Sequence, residues 1–190
     1  MRDELFIRGD VPMTKSEVRA VSISKLELEP DSVLYDIGAG TGSVSIEASR
    51  YLTEGRVYAI EKKAEAIDLI KANKERFGVS RLEIVEGAAP EALTALEPPT
   101  HVFIGGTSGT MDKVLSLVLK KNPGVRIVIN AIALESLAEI LSWLKRHSVT
   151  AEIVQVSISR GREAGDYHLM MGQNPVYVVS FGGEGRNGLD

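Results

Sequence analysis

The sequence predicts a doubly wound α/β fold with a seven-stranded, mostly parallel sheet, one antiparallel strand, and helices on both faces. Three observations predict it. Short β-branched runs alternate with segments of helical period, the pattern of parallel strands joined by crossover helices. The first of these runs, VLYDI at 33–37, breaks at once into the stretch GAGTG at 38–42, which no side chain bulks out. The last two runs come with glycines and no helical pattern between them, so they read as an antiparallel pair joined by a long loop at the end of the sheet.

Taken in order, Thr14-Lys15-Ser16-Glu17 has the S/T-x-x-E form of a capping box, so a first helix is expected to start at Thr14, with Met13 and Val18 spaced to staple across it. Strands are expected at 33–37, 56–60, 82–86, 101–105, 125–130, 150–159 and 175–181. Ala66, Ile70, Asn73 and Phe77 mark one helix face, and Gly78 follows where a left-handed cap would sit. Met111, Val114, Leu115, Val118 and Leu119 mark a second, and Leu134, Leu137, Ala138 and Leu141 a third. Each is read as a stripe facing the core. Gly161, Gly165 and Gly172 fall in the loop between the last two strands.

The 190 residues fit one domain, expected over 1–182, because domains commonly run to ~100–200 residues. The glycine-rich and charged tail at 183–190 is expected to be flexible, since it cannot bury enough apolar surface to be held. A net charge of −4 argues against a cationic surface that tracks a nucleic-acid backbone. With no cysteine there is no disulfide, no thiolate metal site and no cysteine nucleophile. His101, His147 and His168 are too scattered to make a local ligand motif, so no metal is expected. The first ten residues, MRDELFIRGD, lack the apolar run of a signal peptide, and no segment reaches the ~20 apolar residues of a membrane span. A cytoplasmic protein is expected.

In an open parallel sheet, ligands bind at the carboxyl ends of the strands where the strand order reverses, and the first strand lies beside that point. Gly38-Ala39-Gly40-Thr41-Gly42 has the spacing G-x-G-x-G, whereas a dinucleotide fingerprint would carry its third glycine where this chain has Ser43. A pyrophosphate needs free N–H groups at the helix start. S-Adenosylmethionine has no phosphate; its sulfonium is positive and its amino-acid end zwitterionic, so an acid at the strand end suits it. Asp36 is that acid. Glu61 ends the second strand, 21 residues beyond Gly40, where a carboxylate can accept from both ribose hydroxyls and would repel a 2′-phosphate.

The chain also resembles a family of class I S-adenosylmethionine-dependent methyltransferases, with a Rossmann-like fold: the decarboxylating carbon-15 methyltransferases of precorrin-6B or cobalt-precorrin-6B in cobalamin biosynthesis. The resemblance runs to about Phe181 and rests on PMTKSEVRA (12–20), DIGAGTGSVSIE (36–47), EGAAPEAL (86–93), FIGGTSG (103–109), INAIALE (129–135) and NPVYVVS (174–180). It implies a cofactor site lined by Thr14, Gly38, Ala39, Gly40, Thr41, Gly42, Glu61, Ala88 and Ala89. Family members usually show an aspartate at the position of Ala88, so backbone groups must meet the adenine here. An acid is likewise usual where this chain has His101, which is read as a structural histidine. The implied reaction adds a methyl to a meso carbon of a tetrapyrrole and removes the carboxyl of an acetate side chain. Methyl transfer of this kind needs alignment rather than an obligatory base, and no catalytic acid or base is assigned. A polycarboxylate substrate calls for cations, and Lys15, Arg19, Arg160 and Arg162 are the candidates, with His168 as a proton handler. The resemblance also implies a homotetramer.

Other readings stay open at this stage. A transfer-RNA adenine methyltransferase shares the loop pattern, although FIGG stands where amino-group methyltransferases carry Asn/Asp-Pro-Pro-aromatic, and Asn174-Pro175-Val176-Tyr177 opens the last strand instead. A nicotinamide oxidoreductase and a cofactor-binding subunit without chemistry of its own complete the set.

Overall fold

A computed structural model of the chain describes residues 1–107 and 109–183. The expectation of a flexible tail falls on residues 184–190 for the most part and so lies outside the described residues. The helices are α1 (Ser16–Leu26), α2 (Ser43–Ser49), α3 (Ala64–Phe77), α4 (Met111–Lys121) and α5 (Leu134–Arg146). The strands are β1 (Val33–Ile37), β2 (Arg56–Glu61), β3 (Leu82–Glu86), β4 (His101–Ile104), β5 (Arg126–Ala131), β6 (Glu152–Val156), β7 (Ser159–Ala164), β8 (Tyr167–Gly172) and β9 (Val176–Phe181). Seven form one sheet in the order β3-β2-β1-β4-β5-β9-β6, and β7 pairs with β8 in a separate hairpin.

The order reverses between β1 and β4, so the loops leaving those two strands flank the switch point. β9 is antiparallel to both neighbours and sits between β5 and β6, one place in from the edge expected for it. The expected strand over 150–159 is shorter, and the long loop after it is itself the β7–β8 hairpin. Ala164 pairs with Tyr167 across Gly165-Asp166, and Gly165 has φ +61°. A two-residue hairpin turn requires positive φ, which glycine supplies at no steric cost.

Side-chain alternation divides the core between the two faces of the sheet. Tyr35, Ile37, Val102, Ile104, Ile127 and Ile129 pack with residues of α4 and α5. Leu34, Phe103, Val128 and Val178 pack on the other face with Leu26 of α1, Val44 and Ile46 of α2, and Ile70 of α3. Two of the expected helix stripes face inward as read: Ala66, Ile70 and Asn73 on α3, capped by Gly78 at φ +61°, and Met111, Val114, Leu115 and Val118 on α4. On α5 the buried residues are Ile140, Trp143 and Leu144, while Leu134 and Leu141 are exposed. That helix carries two overlapping apolar stripes, and the one holding the large indole faces the sheet, stacked on Phe181 and His147.

The first helix starts at Ser16, with Lys15 as its cap and no side-chain capping bond. Thr14 is therefore not the cap that its spacing predicts. Glu17, the partner needed to close a capping box, is taken by Arg160 of β7 instead.

Candidate active site

The glycine loop is held rigidly at the switch point. The amides of Gly38 and Ala39 donate to the carbonyl of Ile60, and the amide of Gly105, just past β4, donates to that of Ile37. Gly38, Gly40 and Gly42 have φ of +74°, +57° and +76°, values that side chains with a Cβ rarely adopt. The space that a Cβ would need is filled by the chain itself. At Gly38 it would lie 2.6 Å from the carbonyl oxygen of Gly106, at Gly40 2.9 Å from that of Pro12, and at Gly42 3.2 Å from Ile70. The thinness of the loop thus lets the β1 and β4 loops meet and lets the segment before α1 lie across Gly40.

That segment is strapped down at both ends. Asn73, buried on α3, accepts from the amide of Ile7 and donates to the carbonyls of Ile7 and Thr41. Arg19, buried on α1, donates to the carboxylates of Glu47 and Asp3 and to the carbonyls of Thr14 and Met1, with its guanidinium over the ring of Phe6. Arg19 has no exposed surface, so the expected contact with substrate does not fit its position. It is a structural hub.

Glu61 ends β2 beside the loop. Its Oε2 accepts from the amide of Gly40 at 3.0 Å, and its Oε1 from those of Lys62 and Lys63 at 2.8 and 3.0 Å, so the carboxylate is oriented before any ligand arrives. The amide of Gly87 donates to the carbonyl of Glu61 at 2.8 Å, which brings the turn of Ala88 and Ala89 alongside. Ala88 is exposed and Ala89 half-buried, and the hydroxyl of Thr110 donates to the carbonyl of Ala89.

Asp36 is buried at the carboxyl end of β1. One carboxyl oxygen accepts from the Ser45 hydroxyl, and the other, Oδ1, has no partner among the described residues. Burial pushes this carboxyl up to about 7, with a smaller push from the charge on Glu61 and a partial offset from the bonds to Ser45. The hydroxyl of Thr41 is also buried and unpartnered. Buried polar atoms are almost always bonded, so two orphans beside one loop point to a ligand with polar groups of its own. Sequence reasoning passed over Gly105 and Gly106 as site residues. Both are exposed at the end of β4, and a Cβ on Gly106 would meet nothing within 4 Å, so room is left directly over the switch point.

The remaining sequence-predicted residues lie around the N-terminus of α1 and on the hairpin. Lys15 and Thr14 are half-buried beside the loop-covering segment. Arg160 donates to Glu17, to Asp3 at 3.2 Å and to the Ser16 hydroxyl at 3.2 Å, and it holds the carboxyl of Glu17 down to about 2. Arg162 and His168 are exposed, and the ring of His168 stands 4.0 Å from Glu163. His101 is buried, its Nδ1 2.8 Å from the Thr100 hydroxyl, as a structural histidine would be. Among the described residues no helix is long and apolar enough to cross a membrane, and no group of three His, Cys, Asp or Glu side chains could hold a metal ion.

Comparison with known proteins accords with this arrangement. A family model described as a precorrin methyltransferase domain matches residues 4–181. A protein of Pyrobaculum calidifontis named "Probable cobalt-precorrin-6B C(15)-methyltransferase (decarboxylating)" is 41% identical over 181 residues, covering 94% of this chain and 93% of the relative. The cobalt-precorrin-6B C(15)-methyltransferase (decarboxylating) of Salmonella typhimurium is 39% identical over 183 residues, covering 95% and 94%. Among solved structures, the precorrin-6y C5,15-methyltransferase of Geobacter metallireducens superposes with a TM-score of 0.90 at 35% identity, over 96% of this chain and 97% of that one. The match covers the strap, the glycine loop at the switch point and the end of β2, and the chain belongs to the precorrin methyltransferase family.

Proposed function

We propose that the chain is an S-adenosylmethionine-dependent carbon-15 methyltransferase that methylates and decarboxylates precorrin-6B or its cobalt form in cobalamin biosynthesis. The observation that carries the cofactor is the pair of orphaned, buried oxygens, Asp36 Oδ1 and Thr41 Oγ1, beside a loop whose far side is bounded by the pre-oriented carboxylate of Glu61. The residues present fit the group: Glu61 would accept from the ribose hydroxyls, Asp36 would face the positive end, and the Ala88-Ala89 turn would meet the adenine through its backbone. When bound, the cofactor supplies an electrophilic methyl on a sulfonium.

What the chain contributes is position. The glycine loop and the strap hold the nucleoside, and the open ground over Gly105 and Gly106 leaves room for a flat substrate. In-line methyl transfer gains much of its rate from such alignment. No side chain is assigned as acid or base, because the conjugated macrocycle can itself take the electron pair released on decarboxylation. On family resemblance, the same reading carries a homotetramer and a cytoplasmic location.

The test is to incubate the protein with the tetrapyrrole and S-adenosylmethionine and to weigh the product, which should gain one methyl and lose one carboxyl. Glu61→Ala should weaken S-adenosylhomocysteine by ~1–3 kcal/mol in calorimetry, the usual range for lost charged hydrogen bonds. Clear binding of NAD with no response to either sulfur ligand would overturn the assignment, and a monomer in sedimentation would overturn the tetramer.

A further inference from the structure

The strap runs along α3 before it crosses the glycine loop. The rings of Phe6 and Phe77 lie 4.9 Å apart between centroids, Ile7 meets Asn73, and a Cβ placed on Gly9 would lie 3.5 Å from side-chain atoms of Leu69 and Glu65. The contacts thus step back along the helix by about one turn at a time. Pro12 and Val11 then cover Gly40. Between these contacts the strap is lightly held. Arg8, Gly9, Asp10 and Pro12 are exposed, and among the described residues no backbone–backbone hydrogen bond is made by residues 8–13.

Asn73 is the polar group that fastens this stretch. It has no exposed surface and uses both ends of its amide. Its Oδ1 accepts from the amide of Ile7 at 2.7 Å, and its Nδ2 donates to the carbonyl of Ile7 at 3.0 Å and to that of Thr41 at 3.1 Å. The two bonds to Ile7 clasp its backbone as a neighbouring strand would. The third bond reaches the glycine loop at Thr41, whose own hydroxyl is buried without a partner. The preceding residue, Gly40, gives its amide to Glu61. Asparagine does little for a helix interior, and burying an amide is costly unless it is bonded, so α3 by itself does not account for this residue.

We propose that Asn73 is a positioning residue for the cofactor: it ties the strap to the glycine loop, so that seating a nucleoside on the loop and closing residues 8–13 over Gly40 favour each other. The inference rests on the S-adenosylmethionine reading above. A ligand that needs the ordered loop draws the protein toward the clasped state, and a clasped strap raises the ligand's affinity by the same factor. Asn73 acts through Thr41 and Ile7 and touches no reacting atom.

Trypsin reads the strap directly, because Arg8 is exposed and its cleavage gives a fragment of known mass that starts at Gly9. Saturating S-adenosylhomocysteine should slow this cut in the wild type and leave unchanged the cut after Arg146, at the exposed end of α5. Asn73→Asp keeps the size of the side chain but removes both donors. Without ligand it should speed the cut after Arg8 about tenfold or more, and in calorimetry it should weaken S-adenosylhomocysteine by about the same factor, as the loss of two hydrogen bonds would. The ligand should no longer slow the cut. Ile7→Pro removes the donor to Asn73 Oδ1 without touching α3, and it should act in the same direction. Val118→Ala, a core deletion in α4, should lower the melting temperature yet leave the cut and the affinity within about twofold. Unchanged ligand affinity in Asn73→Asp and Ile7→Pro would overturn the coupling, as would an equal rise in cleavage after Arg146, which would trace to global unfolding. A wild-type protein that binds neither S-adenosylhomocysteine nor S-adenosylmethionine would sink the cofactor reading and the coupling with it, whereas binding indifferent to Asn73 would sink the coupling alone.

Discussion

Asp36 shows at a single residue how a ligand site costs stability. Its carboxyl has one bonded oxygen and one orphan, and burial raises it from the usual 3.8 to about 7. A carboxyl raised in the folded state contributes stability that is fully present below the unfolded value. That stability is lost as pH climbs toward the folded value, because ionisation then becomes easier in the unfolded chain. Each step of one in pH across that window removes about 1.4 kcal/mol, so the loss between roughly pH 4 and pH 7 is on the order of 4 kcal/mol. Asp36→Asn keeps the shape and a partner for Ser45 while removing the charge. Guanidinium denaturation should therefore find this variant more stable than the wild type at about pH 8, with the advantage shrinking to nothing near pH 4. Calorimetry should find its S-adenosylhomocysteine affinity lower. A constant difference at all pH values would mean that Asp36 does not carry the buried charge argued here.

At the scale of one element, α5 is a choice between two stripes. Leu134, Leu137, Ala138 and Leu141 have helical spacing, and so do Leu137, Ile140 and Leu144, with Trp143 beside them. Periodicity alone does not rank them. The sheet takes the set with the indole, because burying the largest apolar surface gives the largest gain, and Leu134 is left 69% exposed at the start of the helix. Trp143→Ala should then cost ~3–5 kcal/mol, as removal of a buried large side chain does, whereas Leu134→Ser should stay within about 0.5 kcal/mol. Denaturation curves of the two variants decide it, and comparable losses would show that both stripes are covered.

Across the whole molecule, distant parts of the chain meet at Arg19. Its four hydrogen-bonding partners come from Met1, Asp3, Thr14 and Glu47, so one buried cation ties the N-terminal segment to α1 and to the helix that follows the glycine loop. Asp3 is bonded in turn by Arg160, which extends the network to the hairpin. Removing one partner of a buried ion pair leaves an uncompensated charge and costs ~3–5 kcal/mol. Arg19→Ala should lose about that much in denaturation. It should also weaken S-adenosylhomocysteine, because the strap over Gly40 loses its anchor at Thr14. Arg19→Lys should not rescue either property, since a single ammonium cannot serve four acceptors spread around a planar fork. Full stability in the lysine variant would sink the argument for a hub.

The sequence by itself determined the layers, the sheet's seven strands, the glycine loop, and the acids at 36 and 61, because these depend on local period and on spacing along the chain. Alternation and helical stripes are local signals, and the fixed order of strand, loop, helix, strand and acid places its parts without knowledge of the rest. What only the tertiary structure decided is what depends on partners far away in sequence. Thr14 and Glu17 spell a capping box, yet Arg160, 143 residues beyond Glu17, takes the glutamate, and the helix starts at Ser16 without a side-chain cap. Arg19 and Arg162 are indistinguishable as surface cations in the sequence. The fold buries the first among carboxylates and leaves the second in solvent. The glycines at 38, 40 and 42 leave space that Gly106, Pro12 and Ile70 fill. β7 and β8 were illegible for the same reason: SRGREA has no alternating apolar face, and its strand character comes from the ladder it makes with residues 167–172. Local chemistry is written along the chain, but burial and charge pairing are set by which segments the fold brings together.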